Sequence, residues 1–231
     1  MTSRLQEQIE YYRARAPEYD EWFYRTGRYD RGPAHTEQWQ REVEVVRRQL
    51  HSGARCERIL ELAPGTGIWT QELAQLGERV TALDASPEMI AINRAKLSAD
   101  NIDNVDYALC DLFEWQPQEQ VDMVFFGFWL SHVPADKLTG FLRALRAALK
   151  PGGRLFLVDS LAPDQSNPRT GTQSLSADRQ QRELKDGRQY EIVKIYYEPG
   201  ALSAILRENG FDIEAQATDS FFLYADGVRS R

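Results

Sequence analysis

The chain has 231 residues, a length typical of one compact domain or of one domain that carries an insertion. Hydrophobic residues make up 42% of the chain and charged residues 27%, which excludes a disordered or collagen-like protein. Lys and Arg number 28 against 35 Asp and Glu, so the formal net charge is −7. Because this balance gives no domain-wide positive field, we expect no nucleic-acid partner.

The sequence also argues against a membrane-spanning segment and a metal site. The longest strongly apolar stretch, residues 123–130, is far too short to cross a bilayer, and the N-terminus has no apolar signal core. Cys56 and Cys110 lie far apart beside apolar segments, which is typical of reduced thiols in a cytoplasmic protein. The three histidines show no metal-ligand spacing. We therefore expect a cytoplasmic protein with no metal and no membrane partner.

The first 52 residues are predicted to form an N-terminal helical cap. Residues 3–25 carry aromatic side chains at helical spacing, and residues 26–33 form a break rich in Gly and Arg. An amphipathic helix is predicted over residues 34–51. The aromatic side chains of this cap could cover a bound ligand as a lid, or they could simply attach the helix to the core.

From residue 57 the pattern changes to short apolar runs that alternate with helical stretches. Strands that are almost wholly apolar and alternate with helices indicate a parallel sheet covered on both faces. The predicted strands are residues 58–62, 80–83, 105–109, 122–126 and 154–158, and the predicted helices are residues 70–76, 87–97 and 135–149.

After this alternation the sequence predicts an insertion and a final helix with two strands. Residues 161–181 are polar and are predicted to be a loop, and a β-hairpin turning at Asp186-Gly187 is predicted to follow. The insertion therefore covers residues 161–197 within a core of residues 53–231. The last elements are predicted to be a helix at 199–208 and strands at 211–217 and 220–225.

The segment 58–70, RILELAPGTGIWT, is the most informative part of the chain. It predicts a strand, a tight turn at Gly65 and Gly67, and the start of a helix whose free N–H groups can face a ligand. Asp84 ends the next strand, 23 residues after Glu61, where a carboxylate can accept the two ribose hydroxyls of an adenosine group. A single pair of glycines is a weak signal, because an ordinary strand–helix turn also uses it.

Two further residues favour a cationic adenosine ligand over a dinucleotide. A dinucleotide site would have a third glycine where this chain has Thr70. Glu61 closes the strand before the turn, and a carboxylate there suits a positively charged ligand and repels a pyrophosphate.

These motifs together resemble those of the class I S-adenosylmethionine-dependent methyltransferases. The acidic–x–Gly–x–Gly–x–Gly motif is matched by residues 61–67, with Ala63 in place of the first glycine, and LKPGGRLFLVD matches the turn before the fifth strand. The resemblance spans residues 57–160. It implies a Rossmann-like α/β fold with a mostly parallel seven-stranded sheet and an antiparallel last strand, and it implies S-adenosylmethionine as cofactor without a metal.

The same resemblance implies which residues bind the cofactor. Asp84 would accept the ribose hydroxyls, Met89 would pack on the adenine, and Asp111 would bind the adenine amine. Each of the three alone also fits an ordinary core or helix-capping residue. The implied cofactor-binding residues are Tyr11, Tyr19, Glu61, Ala63, Gly65, Gly67, Trp69, Asp84, Ala85, Met89, Asp111, Leu112 and Phe128.

Segments along nearly the whole chain are similar to the phosphonate O-methyltransferase branch of this family known from dehydrophos biosynthesis. That similarity implies a small acidic substrate, bound by Tyr29, Arg182 and Lys194, with His132 at the reacting centre. Arg can hold a phosphonate or carboxylate through two parallel hydrogen bonds, and Lys adds a compact charge. His132 could donate a hydrogen bond or, for a hydroxyl substrate, act as a general base.

Other interpretations remain open from the sequence. The methyl acceptor could be a phenol, an amine or another small nucleophile, or the protein could bind the cofactor without turnover. A tRNA base is disfavoured by the negative net charge and by the lack of an Asn-Pro-Pro-Tyr type motif. The residues do not distinguish a monomer from a homodimer.

Overall fold

The computed structural model describes residues 4–161, 167–168 and 171–231. Its main sheet has seven strands: β1 (Cys56–Leu62), β2 (Gly77–Asp84), β3 (Val105–Leu109), β4 (Val121–Gly127), β5 (Leu149–Ser160), β9 (Phe211–Ala217) and β10 (Phe222–Arg229). Their order in the sheet is β3-β2-β1-β4-β5-β10-β9. Strands β1 to β5 are parallel, and β10 is antiparallel to both of its neighbours, β5 and β9. This confirms the predicted Rossmann-like α/β fold.

The sheet is covered by helices on both faces, and the central strands are buried as their sequences predict. The side chains of β4, with the sequence VDMVFFG, are nearly all buried, as is typical of a parallel strand between two helical layers. The helices outside the cap are α4 (Thr70–Leu76), α5 (Pro87–Ala99), α6 (Ala135–Ala148) and α7 (Pro199–Glu208). Each overlaps a predicted helix to within two residues.

One strand begins earlier than predicted. The sequence predicted a helix to residue 149 and a strand from residue 154, but α6 ends at Ala148 and β5 begins at Leu149. Leu149 pairs with Val121, and the register then shifts before Met123 pairs with Arg154. The Pro-Gly-Gly turn is therefore an irregularity inside the strand.

The insertion is a second, three-stranded antiparallel sheet, with β6 (Thr172–Ser176), β7 (Arg179–Glu183) and β8 (Gln189–Val193) in that order. The predicted hairpin is present as β7 and β8, and Gly187 in its turn has φ of 85°. The prediction of a loop over residues 161–181 is wrong for β6 and the start of β7. Strand β6, TQSLS, is mostly exposed and polar, so it lacks the apolar alternation that predicts a strand. Residues 162–166 and 169–170 of the predicted loop lie outside the described residues.

The N-terminal cap contains α1 (Arg4–Arg15), α2 (Asp20–Tyr24) and α3 (Pro33–His51), joined by short 3-10 turns. The continuous helix predicted over residues 3–25 is interrupted, since Pro17 lies in the first 3-10 turn and Arg25 adopts a left-handed φ of 55°. Phe23 is buried in the same hydrophobic cluster as Trp39. The second half of the cap is thus part of the core, and only α1 lies apart from it.

The helices among the described residues include none with the length and apolar character needed to cross a membrane.

Candidate active site

A cavity with a volume of about 640 Å³, including its open mouth, lies at the carboxyl ends of β1, β2 and β4. Ligands of open α/β sheets bind at this edge, because the strand order reverses there and the loops diverge. The lining residues are Gln8, Ile9, Tyr12, Tyr19, Ala63, Gly65, Asp84, Ala85, Ser86, Met89, Asp111, Leu112, Gly127, Phe128, Trp129 and His132. We call this space the cofactor cavity.

The glycine turn after β1 forms the floor of the cofactor cavity. Ala63, Gly65 and Gly67 all have left-handed φ values, of 53°, 55° and 91°. At Gly65 a side chain would project toward open space, since the nearest atom to a built Cβ is a ring carbon of Tyr19 at 3.9 Å. At Gly67 a Cβ would lie only 2.5 Å from Oδ1 of Asn93. Gly65 therefore leaves room in the cavity, whereas Gly67 lets the turn pack against α5.

Asp84 is held at the end of β2 with its carboxylate at the cavity. The backbone N–H of Gly65 donates to Oδ2 at 3.0 Å, and that of Ser86 donates to Oδ1 at 2.9 Å. Burial raises the pKa of Asp84 to about 6, because it disfavours the ionised form more than these donors favour it. Ser86 itself caps α5, since its hydroxyl accepts from the backbone N–H of Met89. Asp84 is thus left free of the capping role.

Glu61 lies beneath the glycine turn, where burial raises its pKa to about 8. The hydroxyl of Thr70 hydrogen-bonds to it, and Oε2 has no partner among the described residues. A buried carboxylate with an unused oxygen favours a cationic group nearby. Glu61 does not itself line the cofactor cavity.

The far end of the cofactor cavity contains three predicted residues, Met89, Asp111 and Leu112. Met89 and Leu112 are buried and apolar, which suits the faces of a flat ring. Asp111 is exposed, and its Oδ1 accepts from the backbone N–H of Phe113 at 2.9 Å. The predicted residues Ala85 and Phe128 also line the cavity.

Four predicted cofactor residues lie outside the cavity wall: Tyr11, Glu61, Gly67 and Trp69. Tyr11 packs with Leu184 and Ile192 on the side of α1 that faces the small sheet. Trp69 is buried in the core cluster, where its ring packs against that of Phe125 on β4. The role of these four residues in cofactor binding stays a prediction.

Six lining residues were not among the predicted cofactor-binding residues, although Tyr12 is one of the cap aromatics expected to cover a ligand: Gln8, Ile9, Tyr12, Ser86, Gly127 and Trp129. The spacing of seven residues between Tyr12 and Tyr19 is the one sequence pattern that relates Tyr12 to a predicted cofactor residue. In the structure the centroids of these two rings lie 6.4 Å apart. Gln8 and Ile9 carry no motif and reach the cavity only because α1 folds across it.

A second, more polar cavity of about 430 Å³ adjoins the first, and we call it the acceptor cavity. It shares Tyr12, Tyr19, Phe128 and His132 with the cofactor cavity. Its remaining lining residues are Arg15, Trp22, Ser160, Asn167, Arg182, Ile192 and Lys194. The structure thus brings together three of the four residues predicted for the substrate: His132, Arg182 and Lys194.

The cations of the acceptor cavity differ in how they are neutralised. Nζ of Lys194 donates to Oδ1 of Asp159 at 3.2 Å and to Oγ of Ser131 at 2.7 Å, and the ion pair is almost fully buried. The guanidinium of Arg182 donates to two neutral groups, Oγ1 of Thr172 and Oε1 of Gln180. Arg182 has no carboxylate partner among the described residues.

Tyr29, the fourth predicted substrate residue, does not line the acceptor cavity. It is buried, and its hydroxyl accepts from Nη2 of Arg15 at 3.0 Å. Arg15 lines the cavity in its place, which the sequence did not predict because a basic residue in the last turn of a helix carries no motif.

His132 lies at the junction of the two cavities with both ring nitrogens occupied. Nδ1 is 2.6 Å from the carbonyl oxygen of Val193, so this nitrogen carries the proton. Nε2 then accepts from the hydroxyl of Tyr12 at 2.7 Å. Burial, together with the nearby charge of Lys194, lowers the pKa of His132 well below its usual value. The imidazole is therefore neutral.

Within the described ranges, no group of three or more His, Cys, Asp or Glu side chains is placed to hold a metal ion.

Comparison with known proteins adds a family to this geometry. A family described as "Methyltransferase domain" matches residues 59–153. The chain is 31% identical over 160 residues to the ubiquinone biosynthesis O-methyltransferase of Xanthomonas euvesicatoria pv. vesicatoria (strain 85-10). That match covers 68% of this chain and 63% of the relative, so the chain spans less than two thirds of the relative's length.

Two solved structures are similar over almost the whole chain. One is described as "DhpI-SAH complex structure"; it is 35% identical, has a TM-score of 0.76, and covers 99% of each chain. The other, "DhpI-SAM-HEP complex", is 36% identical with a TM-score of 0.77, covering 98% of this chain and 99% of that one. With the motifs at the cofactor cavity, these matches show that the chain belongs to the class I S-adenosylmethionine-dependent methyltransferases.

Proposed function

We propose that this protein is an S-adenosylmethionine-dependent O-methyltransferase that acts on a small acid, a phosphonate or a carboxylate. The observation that carries the proposal is the shared wall between the cofactor cavity and the acceptor cavity. Tyr12, Tyr19, Phe128 and His132 belong to both, and the acceptor cavity contains buried cations. An anion bound on those cations would face the cofactor across this wall.

The residues of the cofactor cavity fit S-adenosylmethionine. Asp84 offers a carboxylate for the ribose hydroxyls, and Met89 and Leu112 offer apolar surfaces for the adenine. Gly65 leaves the floor open for close approach of the ligand. When bound, the cofactor supplies an electrophilic methyl group on a positively charged sulfur.

An ionised acid needs little chemical activation by the protein. Phosphonate and carboxylate oxygens are already negatively charged near neutral pH, so no strong general base is required. The protein then acts mainly by holding the two reactants in line, an effect worth roughly 7–11 kcal/mol in well-aligned systems. Arg182 and Lys194 would hold the acid through oxygens other than the attacking one.

The neutral state of His132 agrees with an acid substrate that needs no general base. Because Nε2 already accepts a hydrogen bond from Tyr12, the imidazole fixes the position of that tyrosine at the junction. His132 could act as a base for a hydroxyl substrate only after that hydrogen bond is broken. An acid substrate makes no such demand.

Helix α1 would exclude water from the reaction as part of the N-terminal cap. It contributes Gln8, Ile9 and Tyr12 to the cofactor cavity, and Gln8 is anchored at both ends of its amide. Its Nε2 donates to the carbonyl of His132, and its Oε1 accepts from the backbone N–H of Val193. Helix α1 thus forms one wall of the cavity and is held there by these two hydrogen bonds.

The proposal is tested by transfer of labelled methyl from S-adenosylmethionine to a panel of phosphonates, carboxylic acids, phenols and amines. We expect label on a phosphonate or carboxylate, and we expect Arg182→Ala to lose it. Arg179→Ala is the matched control, because Arg179 lies on the same strand but is half exposed and pairs with Glu191. Label found only on phenols or amines, with Arg182→Ala unaffected, would overturn the acid acceptor. No transfer to any compound would overturn the methyltransferase activity.

A further inference from the structure

The acceptor cavity contains a cation that the proposed function does not yet use, Arg15. It is the last residue of α1 and lines this cavity. Only 7% of its surface is exposed, so its guanidinium is removed from water about as fully as that of Arg182, at 9%. Charged side chains this deeply buried are rare unless they are paired.

Arg15 is surrounded by aromatic rings and has no counter-charge within the described part of the chain. Its guanidinium carbon lies 4.9 Å from the ring centroid of Tyr19 and 5.9 Å from that of Tyr29. The hydroxyl of Tyr29 accepts one hydrogen bond, and Nε has no partner. None of the described residues offers Arg15 a carboxylate. By contrast, the half-buried Arg154 makes two hydrogen bonds to Asp226.

The ring contacts do not satisfy this guanidinium. The stabilisation from a cation–π contact is smaller than the free-energy cost of an unpaired ion in a protein interior. The rings also leave N–H donors without acceptors. A buried, rigid and unneutralised guanidinium on a cavity wall is therefore complementary to an anionic ligand.

The charged groups of the acceptor cavity differ in whether a group of opposite charge neutralises them. Lys194 is neutralised by Asp159, and His132 is neutral. Arg15 and Arg182 remain without carboxylate partners among the described residues. Counted over the described residues, the cavity thus has two uncompensated positive charges, which match an acid that carries two negative charges.

We infer that Arg15 is a substrate-binding and specificity-determining residue, which together with Arg182 selects a doubly ionised acid over a singly ionised one. This inference rests on the proposed function and adds to it the charge of the substrate. Tyr29 then acts as a positioning residue, because its hydroxyl orients the guanidinium of Arg15.

The location of Arg15 has a second consequence. Arg15 belongs to α1, whereas Arg182 belongs to β7, so an acid that contacts both connects the cap to the small sheet. Helix α1 also carries Tyr12 and Gln8, which line the cofactor cavity. An acid bound to Arg15 therefore stabilises α1 over the cofactor, and linkage requires that each ligand tighten the binding of the other.

The test measures binding by calorimetry to the full-length protein with S-adenosylhomocysteine present, at a pH where ethylphosphonate is doubly ionised. Ethylphosphonate and propionate are the two probes. We expect Arg15→Gln to weaken ethylphosphonate binding about tenfold to a hundredfold, as for loss of a hydrogen bond to a charged group, and to weaken propionate binding much less. Arg15→Lys keeps the charge and should fall between Arg15→Gln and the unaltered protein.

Arg13→Gln is the matched control, because it removes the same charge from the same helix at an exposed position paired with Glu88. It should leave both affinities unchanged. We also expect ethylphosphonate to tighten S-adenosylhomocysteine binding in the unaltered protein and in Arg13→Gln, and not in Arg15→Gln.

The outcomes separate this inference from the proposed function. Methyl transfer to an acid that requires Arg182 but is unaffected by Arg15→Gln would overturn the role of Arg15 and leave the proposed function standing. Equal weakening of ethylphosphonate, propionate and S-adenosylhomocysteine by both Arg15 variants would show a purely structural role. If the unaltered protein transfers no methyl group but binds ethylphosphonate through Arg15, the proposed function fails and the anion site stands.

Discussion

The hydroxyl of Tyr12 lies 2.7 Å from Nε2 of His132, on the wall that the two cavities share. This contact joins α1 to the turn after β4, and it involves two residues 120 positions apart in the sequence. The carbonyl of Val193 fixes the imidazole proton on Nδ1, so Tyr12 must donate and His132 must accept.

The buried neutral state of His132 predicts an acid-sensitive stability. In the unfolded chain a histidine binds a proton below about pH 6.5. In the folded protein the pKa of His132 lies well below that value, chiefly because of desolvation and then because of Lys194. The unfolded state therefore gains a proton first as the pH falls. The free energy of unfolding should decrease by up to about 1.4 kcal/mol for each pH unit below 6.5.

Urea denaturation between pH 6.5 and pH 5 tests this, with His132→Gln compared to the unaltered protein. We expect a shallower loss of stability in His132→Gln. Tyr12→Phe should instead retain the steep loss while lowering stability at every pH by about 1–3 kcal/mol, because the Nε2 acceptor is left buried and unpaired. Identical slopes in the unaltered protein and His132→Gln would contradict the prediction.

Asp84 predicts a pH dependence of cofactor binding. Its pKa is raised to about 6, first by burial. The ionised carboxylate, which is the better acceptor for ribose hydroxyls, is therefore lost as the pH falls through about 6. The Kd of S-adenosylhomocysteine should rise over this interval, by at most about tenfold per pH unit.

Titrations of S-adenosylhomocysteine from pH 5 to pH 8 measure this effect. Asp84→Asn should bind more weakly at pH 8 and show no transition near pH 6. Asp106→Asn, which removes an exposed carboxylate paired with Arg79, should keep the profile of the unaltered protein. A constant Kd from pH 5 to pH 8 in the unaltered protein would refute the role given to Asp84.

Replacing Gly67 by alanine should destabilise the protein through packing as well as through backbone conformation. Its φ of 91° disfavours any side chain, and a Cβ would lie 2.5 Å from Oδ1 of Asn93. Asn93 cannot easily move, since it is buried and hydrogen-bonded to Thr70 and Tyr107. Gly67→Ala should therefore lower the free energy of unfolding by about 2–5 kcal/mol.

Gly32→Ala separates the two contributions. Gly32 has nearly the same φ, 93°, but nothing lies within 4 Å of a built Cβ. Only the conformational cost of about 1–2 kcal/mol should appear there. Equal losses in the two variants, measured by urea denaturation, would show that the contact with Asn93 contributes nothing.

The sequence predicts the fold and nine of the residues that line the cofactor cavity, for a local reason. The glycine turn, Asp84 and Met89 lie on consecutive elements, where strand–turn–helix patterns determine their positions. Leu112 and Asp111 also line the cavity, as the family motif implied.

The acceptor side is less predictable because it is assembled from distant segments. Arg15 and Tyr12 reach it from α1, and their roles depend on which face of that helix meets β8. The glycine motif at residues 61–67 does not indicate how α1 packs against β8. Strand β6 was not predicted because its residues are mostly polar and exposed, so that it lacks the apolar alternation that indicates a strand.

Substitutions of Lys194 and Arg182 should have similar effects on activity but different effects on stability. Lys194 is paired with Asp159, and both side chains are at most 5% exposed. Lys194→Met would leave the carboxylate buried without its partner, which costs about 3–5 kcal/mol of stability. Arg182 has only neutral partners among the described residues, so Arg182→Met removes an uncompensated charge along with two hydrogen bonds. Its stability should stay within about 1 kcal/mol of the unaltered protein.

Both variants should lose methyl transfer to acids, but only Lys194→Met should unfold at markedly lower urea concentration. Asp159→Asn introduced into Lys194→Met should recover part of the lost stability, because it removes the unpaired charge, and it should not recover activity. Equal destabilisation by Lys194→Met and Arg182→Met would mean that the two cations are neutralised alike. Arg182 would then add no excess positive charge to the acceptor cavity, and the inference of an acidic substrate would lose that support.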